Sequence, residues 1–204
     1  MLNDSVIDKL QDEALSYLAG HLDKRYSYHN AQHTLEVCNG VKLFADQCNL
    51  PRSDYSALRI ASIFHDFGYL ERDYDNEKLA FPYMEDFGRR FNIPQQLLIL
   101  ADKLIMETVF PYFPVTPAGK LLCDADIEYI GRECFLTKAE LFRQELAAGG
   151  VVYTDEQWWT LEMDFLQKNH FFSDVCRKLR DAGRVINIGK VQDILLNNAG
   201  KSNL

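Results

Sequence analysis

Residues 57–70, ALRIASIFHDFGYL, are the stretch on which the fold prediction depends. Their long apolar run is typical of the middle of a buried helix, and Ser53 or Asp54 could cap its start. The run ends in His65 and Asp66, and a carboxylate there is costly unless it is paired or bound to a metal. The stretch therefore predicts a core helix that delivers two polar ligands, unless Asp66 lies at a helix end that faces solvent.

The pattern on either side of this stretch is also helical. Apolar residues share one face over residues 3–19, residues 73–91 predict a helix interrupted at Pro82, and Thr137 and Thr154 each begin a capping box. No alternating strand pattern persists over five residues. We therefore predict an all-α fold: a single helical-bundle domain over residues 1–204, with a motif-bearing core at about 26–131 and C-terminal helices over 132–196 that complete the bundle.

Composition limits the class of protein and its partners. The formal net charge of −8 argues against a nucleic-acid binder, whose affinity would rest on a basic surface. No apolar run approaches the roughly 18 residues of a membrane helix, and the N-terminus lacks a signal-peptide pattern. The five cysteines form no CxxC pair, which favours reduced thiols. We expect a cytoplasmic protein without a membrane partner; its oligomeric state stays open.

Residues 28–37, YHNAQHTLEV, contain two of the five histidines, His29 and His33. On a helix, side chains four residues apart lie on one face, roughly 5–6 Å from each other. The two imidazoles could share a metal, or one could bind the metal while the other faces a substrate. A lone pair at this spacing is also common among ordinary helix residues, so the pair gains meaning only from other ligands.

Residues 121–131, LLCDADIEYIG, place two carboxylates on a helix that is apolar nearly all round. At about 100° per residue, Asp124 and Asp126 point roughly 200° apart, so they cannot share one solvent-facing side. Together the three stretches offer imidazoles and carboxylates from separate helices. Such a mixed nitrogen and oxygen set suits a divalent metal ion, namely Mn, Fe, Co, Ni, Zn or Mg.

The order His33, then His65 and Asp66, then Asp126 resembles the H…HD…D signature of the HD-domain superfamily of metal-dependent phosphohydrolases. The segment YHNAQHTLEV is similar to the YHNxxH element of some bacterial HD proteins and of the cyclic-nucleotide phosphodiesterases. The resemblance covers about residues 26–131. It implies an all-α metal-dependent phosphohydrolase that cleaves a phosphate ester of a small substrate, with a nucleotide favoured, by attack of metal-bound water.

The resemblance also implies a role for each matched residue. His33, His65, Asp66 and Asp126 match the metal ligands, with Asp124 as the alternative to Asp126. His29 and Asp66 match catalytic positions, and His29 would protonate the leaving oxygen, since imidazole titrates near neutral pH. Asn30 would orient His29 or bind neighbouring backbone.

Other polar residues are weaker candidates, and other function classes stay open. Arg72, Lys78 and Lys103 could meet phosphate, although charges on solvated helix faces are the favoured interpretation for each. Glu77 and Glu107 could lie near the site, whereas structural roles are expected for His21, His170 and the pair Trp158–Trp159. The alternatives are a nucleotide-sensing HD module without turnover, an HD-fold diiron oxygenase, and a purely structural helical domain.

Overall fold

The structure is a computed structural model, and it describes residues 2–201 of the chain. Over that range the backbone forms nine α-helices and three short 3₁₀ helices, and it contains no β-strand. The predicted all-α fold class is therefore confirmed. Within the same range, no helix is both long enough and apolar enough to cross a membrane.

The chain divides into two compact units, Met1–Asp126 and Ile127–Leu204. The grouping of both units into a single domain stays a prediction. The first unit contains every residue of the predicted H…HD…D set. Its elements are α1 (Asp4–His21), α2 (Ala31–Ala45), α3 (Arg52–Phe64), the 3₁₀ helices η1 (Phe67–Leu70) and η2 (Asn76–Leu79), α4 (Ala80–Arg90), α5 (Gln95–Met106) and nearly all of α6 (Pro117–Ile127).

Helix α3 is the centre of the first unit. It packs against α1, α2, α4 and α5, and every side chain from Ser56 to Phe64 is buried. This agrees with the apolar run in the sequence, because a helical segment with apolar side chains on most of its sides must be covered by neighbouring elements. Arg59 is buried at the same level, and its guanidinium is paired with Asp8 at 2.7 Å. The helix that precedes the His65–Asp66 pair is therefore enclosed by its neighbours.

The second unit is built around its last helix. Its elements are η3 (Glu128–Gly131), α7 (Phe135–Ala148), α8 (Asp155–Lys168) and α9 (Asp174–Lys201), and α9 packs on both α8 and η3. The backbones meet closely where η3 and α9 cross, because a Cβ added to Gly183 would lie 2.0 Å from the carbonyl oxygen of Gly131. Glycine is thus required at this crossing.

The predicted helix starts are partly confirmed. Asn3 caps α1, and Thr154 forms the predicted capping box with Gln157. The prediction for Thr137 is wrong, because α7 begins two residues earlier at Phe135, whose fully buried ring extends the helix.

The cap predicted at Ser53 or Asp54 is also wrong, since α3 begins at Arg52 after Pro51. Residues 73–91 form η2 followed by α4, so the expected interruption occurs three residues before Pro82.

Glu162 on α8 is a buried carboxyl group in the second unit. Only 3% of the residue is exposed, and its Oε2 has no hydrogen-bond partner among the described residues. Burial raises the pKa of Glu162 to about 7. Because the folded-state pKa lies above that of an unfolded carboxyl, stability from this group is greatest at acid pH and is lost as the pH rises toward and through 7.

We expect Glu162→Gln to remove this pH dependence. The parent protein should lose about 3 kcal/mol of unfolding free energy between pH 4.5 and 8 through this residue, whereas the glutamine variant should not. Urea unfolding of both proteins across this range measures the difference, and Glu156→Gln on the exposed side of α8 is the matched control. Plots of unfolding free energy against pH that run parallel for the parent and Glu162→Gln would contradict the expectation.

Candidate metal centre

The end of α3 delivers His65 and Asp66 into the interior. His65 is 1% exposed and Asp66 is 8% exposed, so the alternative that Asp66 faces solvent is wrong. The Nδ1 atom of His65 lies 3.0 Å from the carbonyl oxygen of Ser62. A proton on Nδ1 that is donated to this carbonyl leaves Nε2 as the free end of the ring, which is how metal-binding histidines are commonly held.

The start of α2 positions His33. The Oδ1 atom of Asn30 accepts hydrogen bonds from the backbone N–H groups of Gln32 and His33, while its amide nitrogen donates to Ser27 at 2.8 Å. Asn30 is therefore the N-cap of α2, and its contacts are to backbone. This cap holds His33, which is 3% exposed, in the first turn of the helix.

The polar atoms of three separate segments converge at one point. The Nε2 atom of His33 lies 3.1 Å from Oδ1 of Asp126, 3.3 Å from Oδ2 of Asp66 and 3.5 Å from Nε2 of His65. The Nε2 atom of His65 lies 3.3 Å from the same Asp66 oxygen and 3.7 Å from Oδ1 of Asp126. The buried group His33, His65 and Asp66 could hold a metal ion, since one ligand atom from each lies within 4.8 Å of the others.

The chemistry of this cluster fits a divalent cation. Within the described part of the chain, Oδ2 of Asp66 is a buried oxygen that accepts no hydrogen bond, although two imidazole nitrogens face it. Buried charged groups are normally paired by hydrogen bonds or coordinated to metals. Two Nε2 atoms that face each other at 3.5 Å, next to carboxylates, are the donors that such an ion takes.

In the absence of an ion, protons compensate the buried carboxylates. Burial alone would lower the pKa of His33, but Asp126 and Asp66 outweigh it and raise the pKa to about 10. Burial also opposes the charge on His65, and the Asp66 carboxylate nevertheless raises the pKa of that imidazole. Conversely, burial would raise the pKa of Asp66, but His65 and His33 hold it well below its usual range.

Helix α6 carries both candidate aspartates, Asp126 and Asp124, and places them on different sides. Asp126 turns its Oδ1 toward His33, and its side chain is 16% exposed. Asp124 is fully buried, and it lies roughly 200° around the helix from Asp126. The structure thus brings Asp126 to the histidines, and its role as a metal ligand stays a prediction.

His29 lies beside the cluster and outside the metal-binding group. Its half-buried ring stacks on Tyr69, with 4.4 Å between centroids, and it contacts the ring of His33 edge-on at 5.7 Å. Tyr69 comes from η1, directly after the His65–Asp66 pair. The segment that supplies two of the clustered residues therefore also orients the imidazole next to them.

The segment η2 adds a second layer of polar residues. Asn76 is buried, and its amide nitrogen lies 3.5 Å from Oδ1 of Asp66. This approach requires Gly68, because a Cβ there would lie 1.9 Å from the carbonyl oxygen of Asn76. Burial raises the pKa of Glu77, and the nearby carboxylates of Asp66 and Asp126 raise it further. Glu77 thus lies within electrostatic range of the cluster, as its place in the chain suggested.

The remaining candidates lie elsewhere. The Lys78 ammonium pairs with Asp75, Arg72 donates to the carbonyl of Tyr74, and Lys103 is exposed. Glu107 binds the backbone of the loop before α6. The structural expectation fits His21, which stacks on Tyr17, and Trp158, which is fully buried. His170 is exposed, and its structural role stays a prediction.

An open cavity of about 560 Å³ is present in the first unit. None of the clustered side chains lines it, although two of its residues, Glu71 and Arg72, follow closely after Tyr69 in the chain. The cavity and the cluster are therefore distinct features. Its walls are formed by Tyr17, Glu71, Arg72, Leu79, Pro82, Tyr83 and Asp86.

A scan of protein-family models finds no match to the chain, and a search of the curated proteins finds no relative. The resemblance to the HD-domain superfamily therefore rests on the order and the residue identities of the motifs in this sequence.

We expect metal binding to release protons from the cluster. Because the pKa of His33 is about 10, its imidazole holds a proton throughout the neutral range, and an entering ion must displace it. The apparent affinity for Mn²⁺ should rise by up to about tenfold for each pH unit between pH 6.5 and 8.5. Calorimetric titrations in two buffers of different ionisation enthalpy measure the protons released.

The matched control for this titration is His170→Ala, which removes an exposed imidazole and should leave the release unchanged. Equal Mn²⁺ affinity at pH 6.5 and 8.5, with no proton released, would contradict the expectation.

Proposed function

We propose that the protein is a metal-dependent phosphohydrolase of the HD-domain type, which cleaves a phosphate ester of a small substrate, with a nucleotide as the favoured class. One observation carries the proposal. The Nε2 atoms of His33 and His65 converge on the buried oxygen of Asp66, which accepts no hydrogen bond within the described residues, and Asp126 completes the set.

The residues divide into those that hold an ion and one that serves the substrate. His33, His65, Asp66 and Asp126 would hold a divalent cation, which when bound supplies an activated water and neutralises charge on phosphoryl oxygens. The position of the Asp66 Oδ2 between the two imidazoles supports a ligand role, and the resemblance also matches Asp66 to a catalytic position. His29 stands beside the cluster on Tyr69 and donates a proton to the leaving oxygen of the ester.

A small anionic substrate requires a local positive site on this acidic chain. The chain carries a net charge of −8, and a bound cation would supply the positive charge that a phosphate group needs. The five cysteines form no disulfide, which supports a cytoplasmic location for this activity.

We expect removal of a ligand and removal of His29 to have different effects. His65→Ala and Asp66→Ala should lose bound metal and phosphate-ester hydrolysis together. His29→Ala should retain the metal while turnover falls by about 10²–10⁴-fold, the range of general acid catalysis. The measurement is metal content by mass spectrometry beside hydrolysis of p-nitrophenyl phosphate, bis-p-nitrophenyl phosphate, nucleoside monophosphates and cyclic nucleotides, each with Mn²⁺, Mg²⁺, Zn²⁺ and Co²⁺.

The protein should be purified without a metal-affinity tag, and His170→Ala should match the parent in both measurements. Full metal and full activity in His65→Ala would overturn the proposal. A parent that binds metal and a nucleotide but hydrolyses no ester would instead support the sensing module. Two irons per chain with oxygen uptake would support the oxygenase.

A further inference from the structure

The side chain of Tyr112 reaches the proposed metal centre from the loop between α5 and α6. The hydroxyl of Tyr112 donates a hydrogen bond of 3.1 Å to Oδ2 of Asp126. The other oxygen of the same carboxylate, Oδ1, lies 3.1 Å from Nε2 of His33. The two oxygens of Asp126 therefore have separate partners, one in the loop and one in the cluster.

Glu107 anchors this loop at its base. Its Oε2 accepts hydrogen bonds from the backbone N–H groups of Val115 at 2.7 Å and Thr116 at 3.1 Å, and its Oε1 accepts one from the Thr116 hydroxyl at 2.9 Å. A Cβ at Gly119 would lie 2.0 Å from Oε2, so the carboxylate rests directly against the backbone of α6. Hydrogen bonds to an ionised carboxylate are stronger than neutral ones, which makes this anchor firm.

Apolar burial contributes little to the position of the loop. Its large apolar side chains are exposed, with values of 60% for Phe110, 79% for Phe113 and 82% for Val115. The Phe110 ring also contacts the Tyr112 ring edge-on, with centroids 5.4 Å apart. A loop with exposed apolar side chains depends on its polar contacts, and the hydrogen bond from the Tyr112 hydroxyl to Asp126 is such a contact with the cluster.

We infer that Tyr112 is a positioning residue of the metal centre. Its hydroxyl holds Oδ2 of Asp126 toward the loop, which leaves Oδ1 turned toward His33 as the oxygen that would be available to an ion. Partners of this kind orient the groups that bind a metal, and their loss typically weakens affinity about 10–100-fold. This inference rests on the proposed function, because it requires an ion between His33, His65, Asp66 and Asp126.

The test compares Tyr112→Phe, which deletes only the hydroxyl, with Tyr74→Phe, which deletes an exposed hydroxyl from another segment. Mn²⁺ affinity is measured by calorimetry, the visible absorption spectrum is recorded with Co²⁺ bound, and thermal unfolding is followed on the metal-free proteins. Tyr112→Phe should bind Mn²⁺ about 10–100-fold more weakly and change the Co²⁺ spectrum, with a metal-free melting temperature close to that of the parent. Tyr74→Phe should match the parent throughout.

The outcomes separate this inference from the proposed function. Unchanged Mn²⁺ affinity and an unchanged Co²⁺ spectrum in Tyr112→Phe would overturn the role of Tyr112 alone. A weaker affinity that is matched by a large fall in the metal-free melting temperature would also overturn it, in favour of a structural role. A parent that binds Mn²⁺ but hydrolyses no phosphate ester overturns the proposed function and leaves the affinity comparison to decide on Tyr112. A parent that binds no divalent ion overturns both.

Discussion

The buried carboxylate of Asp66 is the constraint on which the rest of the first unit depends. An ionised group removed from water costs several kcal/mol unless opposite charges or hydrogen bonds compensate it. Here the compensation comes from His33 and His65, whose nitrogens both lie 3.3 Å from one Asp66 oxygen. That oxygen lacks a hydrogen bond within the part of the chain that is described, so it is available as a ligand for a cation.

The packing of the helices keeps Asp66 and its partners together in the interior. Because α3 is enclosed by four other helices, its end delivers His65 and Asp66 to the interior, and α2 and α6 supply His33 and Asp126 there. The contacts around the cluster come from less regular chain. Gly68 admits the backbone of Asn76, and the loop anchored by Glu107 delivers Tyr112. Regular helices thus carry the proposed ligands, while turns and a loop carry the groups that orient them.

The sequence was most informative where periodicity and burial agree. Apolar side chains at helical spacing predicted the all-α class, and the cost of burying Asp66 predicted that it would be paired or bound to a metal. Capping boxes were less reliable, since Thr154 caps α8 while the burial of Phe135 places Thr137 inside α7. Tyr112 was not predicted as a site residue, because a loop has no periodicity that indicates direction. The sequence indicated only that Tyr112 is an aromatic residue in a proline-rich loop and that its side chain would need a contact.

Anomalous X-ray diffraction from a crystal of the protein soaked in Mn²⁺ would show directly whether one ion binds between the four side chains. We predict one strong anomalous peak about 2.0–2.3 Å from Nε2 of His33, Nε2 of His65, an oxygen of Asp66 and Oδ1 of Asp126. A crystal that shows these four side chains in place, with no anomalous density between them at saturating Mn²⁺, would contradict it.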